Sequence, residues 1–172
     1  MVEFGEEFRE RMRERLEFYR AAELEGLRRG LAVSLVKHDN LLSEAWVEGG
    51  DVHWFSDEPK AHGGSGRGVS PLAYFLSSLG LCQLVHYAEH AAAEDIPITS
   101  LKMTVKGSFS LARPRSFEEI DYEVNIESPA SPELIARLAR QAAEDCFVTN
   151  TLKKACKVKG YVTHNGFKLL EL

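Results

Sequence analysis

Two cysteines on separate apolar segments, Cys82 and Cys146, are the residues of this sequence best placed to do chemistry. Cys82 lies in the middle of an apolar helical pattern, and Cys146 lies at the end of the apolar stripe of another. If these helices are antiparallel neighbours in the core, the two thiols can meet. Neighbouring thiols can act as a redox pair, in which oxidation of one sulfur is captured as a disulfide by the other. Alternatively, both are small buried apolar side chains, as free cysteines commonly are.

The side chains around Cys82 matter because a thiol reacts as its thiolate. An ordinary cysteine has a pKa near ~8.5, and apolar burial raises that pKa, so a nearby cation or base is needed. Arg67, in the glycine-rich loop before the Cys82 helix, is our first candidate cation, although a loop arginine is often simply solvated. His86 lies one helical turn after Cys82 and is a candidate base or positive neighbour.

A metal site and a nucleotide site are two alternatives that the sequence also raises. Cys82, His86 and His90 recur at four-residue intervals and supply ligand types that suit a soft divalent metal. No fourth ligand is evident, and a histidine pair at the polar end of a helix is typical of a solvated surface, so we expect no metal. Residues 63–68 are rich in glycine but lack the Gly-Lys-Ser/Thr ending of a phosphate-binding loop. We therefore expect neither a nucleotide nor another cofactor.

Composition and charge narrow the class of protein in which these residues act. The chain has 172 residues, 44% of them hydrophobic, which suits one domain with a single core. Its net charge of −5 argues against nucleic-acid binding. No segment approaches the roughly 20 apolar residues of a membrane helix, and the charged N-terminus lacks the apolar region of a signal peptide. We therefore expect a cytoplasmic protein with no membrane partner.

Three cysteines in such a protein argue against a structural disulfide framework. The third of them, Cys156, is followed by Lys157 and Lys159. We expect Cys156 to pack against a sheet rather than to act as a further redox thiol.

The elements that must position the cysteines follow from periodicity and punctuation. Residues 1–30 form an amphipathic helical arm, in which apolar residues recur every four positions, and we expect it to pack on the domain or on a second subunit. Residues 31–172 form the α+β domain. Ser70-Pro71 and Ser131-Pro132 are typical helix starts, and Pro97 ends the first of these helices. Strands are predicted at 31–38, 42–47, 52–55, 101–111, 120–126, 158–163 and 167–170, with a helical turn at 151–155 and an Asn165-Gly166 hairpin turn.

Four sequence segments together resemble the OsmC/Ohr family of osmotically inducible and organic hydroperoxide resistance proteins. They are Gly63-Gly64, the run Gly68-Val-Ser-Pro-Leu72, the run Leu79-Gly-Leu-Cys-Gln83, and the run from Ala143 through Cys146 to Leu152. The resemblance extends from about Leu31 to the C-terminus. It implies an OsmC-like α+β fold, with antiparallel sheets wrapped around long central helices in an intertwined homodimer. Active sites would lie at the subunit interface, and a larger assembly stays open.

The resemblance also implies an activity, the thiol-dependent reduction of organic hydroperoxides. Cys82 matches the attacking thiolate of the family and Cys146 matches the resolving thiol. The partners implied are a small organic hydroperoxide and a thiol or dithiol reductant. Apolar neighbours of the cysteines, such as Leu81, Val85 and Phe147, suit an organic hydroperoxide better than hydrogen peroxide.

The sequence departs from the family pattern near the attacking thiol. The hydroperoxide-reducing branches have a Glu after the helix-opening Pro and an Arg on an early strand, whereas this chain has Leu72 and, by hand alignment, Glu44. Phe147 stands where the family commonly has Pro. These departures favour an alternative, an OsmC-fold protein without efficient peroxidase activity that binds a small apolar ligand or acts as a redox-responsive partner.

Overall fold

The computed structural model describes residues 2–21, 24 and 26–154, and the backbone of strands 161–164 and 167–171. It has the α+β class that the sequence predicts. The elements, in chain order, are α1 (Glu6–Ala21), β1 (Val33–Lys37), β2 (Ser43–Val47), β3 (His53–Ser56), α2 (Pro71–Ala93), β4 (Ser100–Phe109), β5 (Phe117–Glu127), α3 (Pro132–Asp145), α4 (Phe147–Lys154), β6 (Tyr161–His164) and β7 (Phe167–Glu171). Both Cys156 and the Asn165-Gly166 turn lie outside the described residues.

All the described strand pairs are antiparallel. The first three strands form a sheet in the order β1-β2-β3, β4 pairs with β5 along a long hairpin, and β6 pairs with β7. The turn between β2 and β3 passes through Gly49, whose φ of 80° lies in the left-handed region that glycine adopts without strain. A parallel bridge from Ser56 to Val69 joins the end of the first sheet to the segment that leads into α2.

Capping serines start the two long helices of the domain, as the sequence predicts. The Ser70 hydroxyl accepts a hydrogen bond from the Ala73 N–H at 3.4 Å, and Pro71 is the first helical residue. Ser131 caps α3 in the same way, accepting from the Leu134 N–H at 3.3 Å. Each serine satisfies one of the N–H groups that a helix start leaves without an internal partner.

The core lies where α2 and α3 pack together over the β4–β5 hairpin. Its buried side chains come from both helices and from the segment that links α2 to β4, and they are Tyr87, Ala91, Ile96, Ile98, Leu138 and Ala142. Because α2 also contacts α1 and α4, it is the central helix against which the other helices pack. None of the helices in the described part of the chain is long and apolar enough to cross a membrane.

The exposure of α2 differs from the sequence-based expectation at both of its ends. The apolar first half leaves Leu72, Leu81 and Val85 exposed in the single chain. The polar second half is predicted to be solvated, but its His86, Glu89 and His90 side chains are buried. Helices on several sides account for this second difference: α1 lies along α2 and reaches Glu89 through Arg15, whereas His90 contacts the end of α3 and His86 lies beside Phe147 of α4.

Several predicted elements have different bounds in the structure, among them two in the C-terminal part of the chain. The helical turn expected at 151–155 is part of α4, which begins earlier, directly after Cys146. The strand expected at 158–163 is β6, which begins at Tyr161. The earlier start of α4 matters for the site, because it places a helix N-terminus beside the cysteines.

Candidate active site

Cys82 and Cys146 lie side by side in the structure. Cys82 lies on α2 and is partly exposed, whereas Cys146 is fully buried at the junction of α3 and α4. The Cys146 thiol is close enough to the Cys82 thiol to raise its pKa. The long separation of the two cysteines in sequence is closed by the packing of α2 against α3 and α4. This arrangement allows a disulfide to form after one of the sulfurs is oxidised.

The first turn of α4 points backbone N–H groups at both sulfurs. The N–H of Thr149 donates to Cys146 Sγ at 3.4 Å. The backbone N–H groups of Val148 and Phe147 lower the pKa of the Cys82 thiol. The first N–H groups of a helix have no internal partner, and their partial positive charge favours an anion. These N–H groups, rather than a side-chain cation, lie beside the thiols because α4 begins at Phe147, earlier than the sequence predicts.

Opposing effects act on the pKa of Cys82. Burial raises the pKa of Cys82, the Val148 N–H lowers it, and the neighbouring Cys146 thiol raises it further, with a net increase above the ordinary thiol value. The backbone N–H groups of α4 therefore offset part of the increase in pKa that burial and the second thiol cause.

Gln83 and Thr149 form a buried polar contact next to the cysteines. The Gln83 side-chain amide donates to Thr149 Oγ1 at 3.0 Å, and both side chains are buried. Gln83 Oε1 is also buried and has no hydrogen-bond partner among the described residues. The sequence analysis did not include either residue in the site. Their positions, one residue after Cys82 and three after Cys146, were the available signal.

His86 is held by a carboxylate and by an aromatic ring. Its Nδ1 lies 2.7 Å from Glu89 Oε2, and its ring centroid lies 6.2 Å from that of Phe147. His90 bonds a different carboxylate, with Nε2 at 2.8 Å from Asp145 Oδ2. The structure thus places His86 beside Phe147, the first residue of α4, and His90 contacts the end of α3 just before Cys146.

Arg67 is occupied in the glycine-rich loop. Its guanidinium forms an ion pair with Asp39, with both Nη2–oxygen distances at 2.8 Å, and its Nε donates to Ser65 Oγ at 2.7 Å. None of the hydrogen bonds of this guanidinium to the described residues reaches Cys82. The structure therefore brings Cys82 and Cys146 together, places His86 one helical turn from Cys82 on α2, and holds Arg67 against Asp39.

Asp57, which the sequence analysis did not single out, organises the same loop. Its buried carboxylate accepts hydrogen bonds from the Ser65 hydroxyl and from the N–H groups of Glu58, Ser65 and Arg67. These donors, the Ser65 hydroxyl first among them, lower the pKa of Asp57 to about 2. At Gly64 an added Cβ would lie 1.8 Å from the Glu58 carbonyl oxygen, so this position requires glycine. The loop wraps the protein's own carboxylate rather than a phosphate.

Glu44 lies at the position where the family's Arg was expected, and its carboxylate is hydrogen-bonded to two histidines. Its carboxylate contacts His38 Nε2 at 2.8 Å and His53 Nδ1 at 2.6 Å, and these bonds, His38 first, lower the pKa of Glu44. Glu44 also lines a mainly apolar groove of about 620 Å³. The groove lies between the first sheet and α2, and its other lining residues include Leu35, Ala45, Trp54, Pro71, Tyr74 and Leu81.

No cluster of three or more His, Cys, Asp or Glu side chains in the described part of the chain is arranged to hold a metal ion. His86 and His90, which the sequence spacing aligned with Cys82, bond Glu89 and Asp145 instead.

The part of the chain that carries Cys82 and Cys146 is also the part that matches a known protein family. The family model described as OsmC-like protein matches residues 63–160, which include both cysteines and α2. No curated protein matches the sequence significantly.

Several solved structures share the fold. An OsmC-like protein from Mycoplasma pneumoniae is 26% identical, with a TM-score of 0.64, over 75% of this chain and 91% of the other. An organic hydroperoxide resistance protein from Elizabethkingia anophelis is 16% identical, with a TM-score of 0.58, over 76% and 92%. A protein from Legionella pneumophila, described as an organic hydroperoxide resistance protein OsmC, is 16% identical, with a TM-score of 0.55, over 74% and 91%. With more than half of its length matched by the family model, this chain belongs to the OsmC-like protein family.

Proposed function

We propose that this protein reduces organic hydroperoxides with Cys82 and Cys146 as its redox pair, in defence against oxidative stress. The observation that carries the proposal is the contact of the two thiols at the N-terminus of α4. The proposal is also supported by the names of fold relatives from Elizabethkingia anophelis and Legionella pneumophila, both organic hydroperoxide resistance proteins.

The reaction takes place in two steps at the cysteines. The Cys82 thiolate attacks the distal oxygen of the hydroperoxide, the O–O bond breaks, and an alkoxide leaves and takes up a proton to become the alcohol. Cys82 becomes a sulfenic acid. The Cys146 thiol then attacks the Cys82 sulfur, water leaves, and a disulfide forms. A thiol or dithiol reductant returns both cysteines to thiols by exchange.

Activation of Cys82 relies on the groups that the structure places beside it. The N–H groups of Phe147 and Val148 stabilise the thiolate, in place of the family's Arg and Glu pair. His86 acts as the proton acceptor, because it lies on the same face of α2 one turn from Cys82. Arg67, which we first considered as the activating cation, is better explained as the anchor of the glycine-rich loop, since Asp39 holds its guanidinium.

The substrate preference and the dimer are proposed from the same exposed surface. Leu81, Val85 and Phe147 are exposed around the cysteine-bearing part of α2. Such a patch suits an apolar hydroperoxide tail, and it also favours burial against a second copy of the chain. We therefore propose a homodimer with its sites near the subunit boundary, acting in the reducing cytoplasm.

A thiol titration tests the proposed activity. Reduced protein is treated without oxygen with one equivalent of cumene hydroperoxide or of hydrogen peroxide, and disulfides are located by mass mapping. We expect rapid loss of two thiols and a Cys82–Cys146 disulfide, faster with cumene hydroperoxide, and no such reaction in Cys82→Ser. Oxidation no faster than that of free cysteine, without that disulfide, contradicts the proposal.

A second candidate function is binding of a small apolar ligand, or redox-responsive partnering, without efficient peroxidase activity. Two observations favour it, the raised pKa of Cys82 and the apolar groove beside Leu81. This candidate predicts that the thiols survive cumene hydroperoxide in the same titration. It also predicts that an apolar fluorescent probe binds the protein, and that Leu81→Glu weakens its binding.

A further inference from the structure

A chain of contacts runs from the N-terminal helix α1 to the cysteine-bearing helix α2. Arg15 Nη1 on α1 lies 2.7 Å from Glu89 Oε1 on α2. The other carboxylate oxygen, Glu89 Oε2, lies 2.7 Å from His86 Nδ1. Arg15 thus reaches His86 through a single carboxylate. Arg15 and the whole of α1 lie outside residues 63–160, which the family model matches.

The charge of Glu89 requires a partner at this depth. The Glu89 side chain is only 4% exposed, whereas that of Arg15 is 43% exposed. Moving a lone carboxylate out of water is strongly unfavourable, so a buried carboxylate is kept charged only when it is paired and hydrogen-bonded. Arg15 supplies the positive partner, and its guanidinium also lies 5.6 Å from the ring centroid of Tyr19, which holds it over α1. Without α1, Glu89 would lack that cation.

The Glu89 carboxylate determines which ring nitrogen of His86 carries the proton. A carboxylate accepts, so His86 Nδ1 donates to it, and the lone pair is left on Nε2. Nε2 has no hydrogen-bond partner among the described residues. The His86 ring centroid lies 6.2 Å from that of Phe147, whose backbone N–H lowers the pKa of the Cys82 thiol. A base oriented by a carboxylate beside a nucleophile is the arrangement that activates nucleophiles in many enzymes.

We propose that Arg15 and Glu89 are positioning residues that hold His86, one helical turn from Cys82 on α2, with its Nε2 free, so that the N-terminal arm is part of the site. The inference rests on the proposed function. In this role His86 Nε2 takes the proton of the Cys82 thiol and returns it to the alkoxide that leaves when the O–O bond breaks. The step consumes thiol and hydroperoxide and yields sulfenic acid and alcohol, with no net proton.

The tautomer of His86 is the first test, and it needs no activity. Nitrogen NMR of the ¹⁵N-histidine-labelled reduced protein distinguishes protonated from unprotonated ring nitrogens, and His86→Gln assigns the signal. We expect His86 to carry its proton on Nδ1 in the wild type. We expect Glu89→Gln to lose this fixed tautomer, and Arg15→Lys, which keeps the charge, to retain it. A wild-type His86 protonated on Nε2 overturns the inference.

Kinetics with matched variants of α1 form the second test. Arg15→Gln removes the cation of Glu89, whereas Arg13→Gln removes a different contact of α1, the ion pair with Asp95. General acid–base catalysis contributes about 10²–10⁴-fold. We expect Glu89→Gln to lower kcat for cumene hydroperoxide at least ~10-fold with little change in KM, and Arg15→Gln to lower it several-fold. We expect Arg15→Lys to restore most of the rate and Arg13→Gln to stay within about twofold of wild type.

The two tests separate this inference from the proposed function. If the wild type does not reduce hydroperoxides, the proposed peroxidase is wrong, and the alkylation rate of Cys82 by iodoacetamide, measured by peptide mapping, decides the inference instead. A slower alkylation in Glu89→Gln, by several-fold, with Arg13→Gln unchanged, supports the relay. Equal rates in wild type, Glu89→Gln and Arg15→Gln overturn it, as do equal losses in Arg15→Gln and Arg13→Gln.

Discussion

The environment of Cys82 gives a substrate access to its thiol but disfavours formation of the thiolate. Cys82 is exposed enough to meet a small substrate, but burial and the second thiol raise its pKa. The N–H donors of α4 relieve this only in part. Reactivity at neutral pH therefore depends on how strongly each neighbour acts on one sulfur.

Replacing Cys146 tests the influence of the second thiol on the first. Because the Cys146 thiol raises the pKa of Cys82, Cys146→Ala should lower that pKa towards the ordinary range. We expect the pH–rate profile for alkylation of Cys82 by iodoacetamide to shift to lower pH, and the rate at neutral pH to rise a few-fold. Peptide mapping separates Cys82 from Cys156. An unchanged or upward-shifted profile would show that the second thiol does not act in this way.

Asp57 gives the protein a stability that depends on pH. Its pKa of about 2 in the folded protein lies below the ~3.9 of an unfolded aspartate. The folded state thus binds its proton less tightly, and this contribution to stability is complete above about pH 4 and is lost as the pH falls towards 2. Urea unfolding across this range should show a steeper acid loss in wild type than in Asp57→Asn. If both lose stability in parallel, the Asp57 bonds do not contribute as inferred.

Only part of the site could be predicted at the level of single residues. Cys82, Cys146 and His86 stand out by type and spacing. The burial of Glu89 and the occupation of Arg67 by Asp39 arise from contacts between residues far apart in sequence. The sequence of α2 alone does not indicate that α1 packs against its polar end.

Among the elements, the glycine-rich loop is the one whose sequence is most tightly constrained by backbone packing. The loop passes so close to residue 58 that Gly64 has no room for a Cβ. Its ends are joined to β3 by hydrogen bonds to Asp57 and by the Ser56–Val69 bridge. Because the loop leads directly into α2, its conformation determines where α2 begins.

A glycine pair tests this constraint. Gly64→Ala forces the loop away from the Glu58 carbonyl, and overpacking of this kind costs typically ~1–3 kcal/mol. Gly30→Ala is the matched control, since an added Cβ there meets nothing within 4 Å. We expect the melting temperature to fall by several degrees for Gly64→Ala and to stay near wild type for Gly30→Ala. Equal melting temperatures would mean that the loop adapts without cost.

The starts of α2 and α3 could be predicted from the sequence, whereas the start of α4 could not. Ser-Pro pairs mark α2 and α3 because proline and the capping hydroxyl act locally. The start of α4 escaped prediction because Phe147, Val148 and Thr149 are poor helix formers, so packing of that turn against α2 decides its conformation. The N–H groups beside the cysteines could therefore not be predicted from the sequence.

At the scale of the whole molecule, one chain leaves an apolar surface that a second copy can cover. Leu35, Leu81 and Val85 are each more than half exposed. We expect light scattering to give twice the 19.3 kDa mass of the chain. Leu81→Glu should shift the equilibrium towards monomer, because a charge in an apolar interface is costly to desolvate. A wild-type monomer at all concentrations tested would rule out the proposed homodimer.

Besides its buried apolar side chains, α1 is attached to the rest of the chain by ion pairs, and these contacts are sensitive to the ionic strength of the solution. Arg9 and Arg13 reach the exposed Asp95, and Arg15 reaches the buried Glu89. Dissolved ions screen exposed charges over about 8 Å at physiological ionic strength and about 3 Å at 1 M. Concentrated salt should therefore loosen the Asp95 contacts first and the Glu89 contact last. We therefore expect Glu89 to keep its Arg15 cation after the Asp95 contacts are lost.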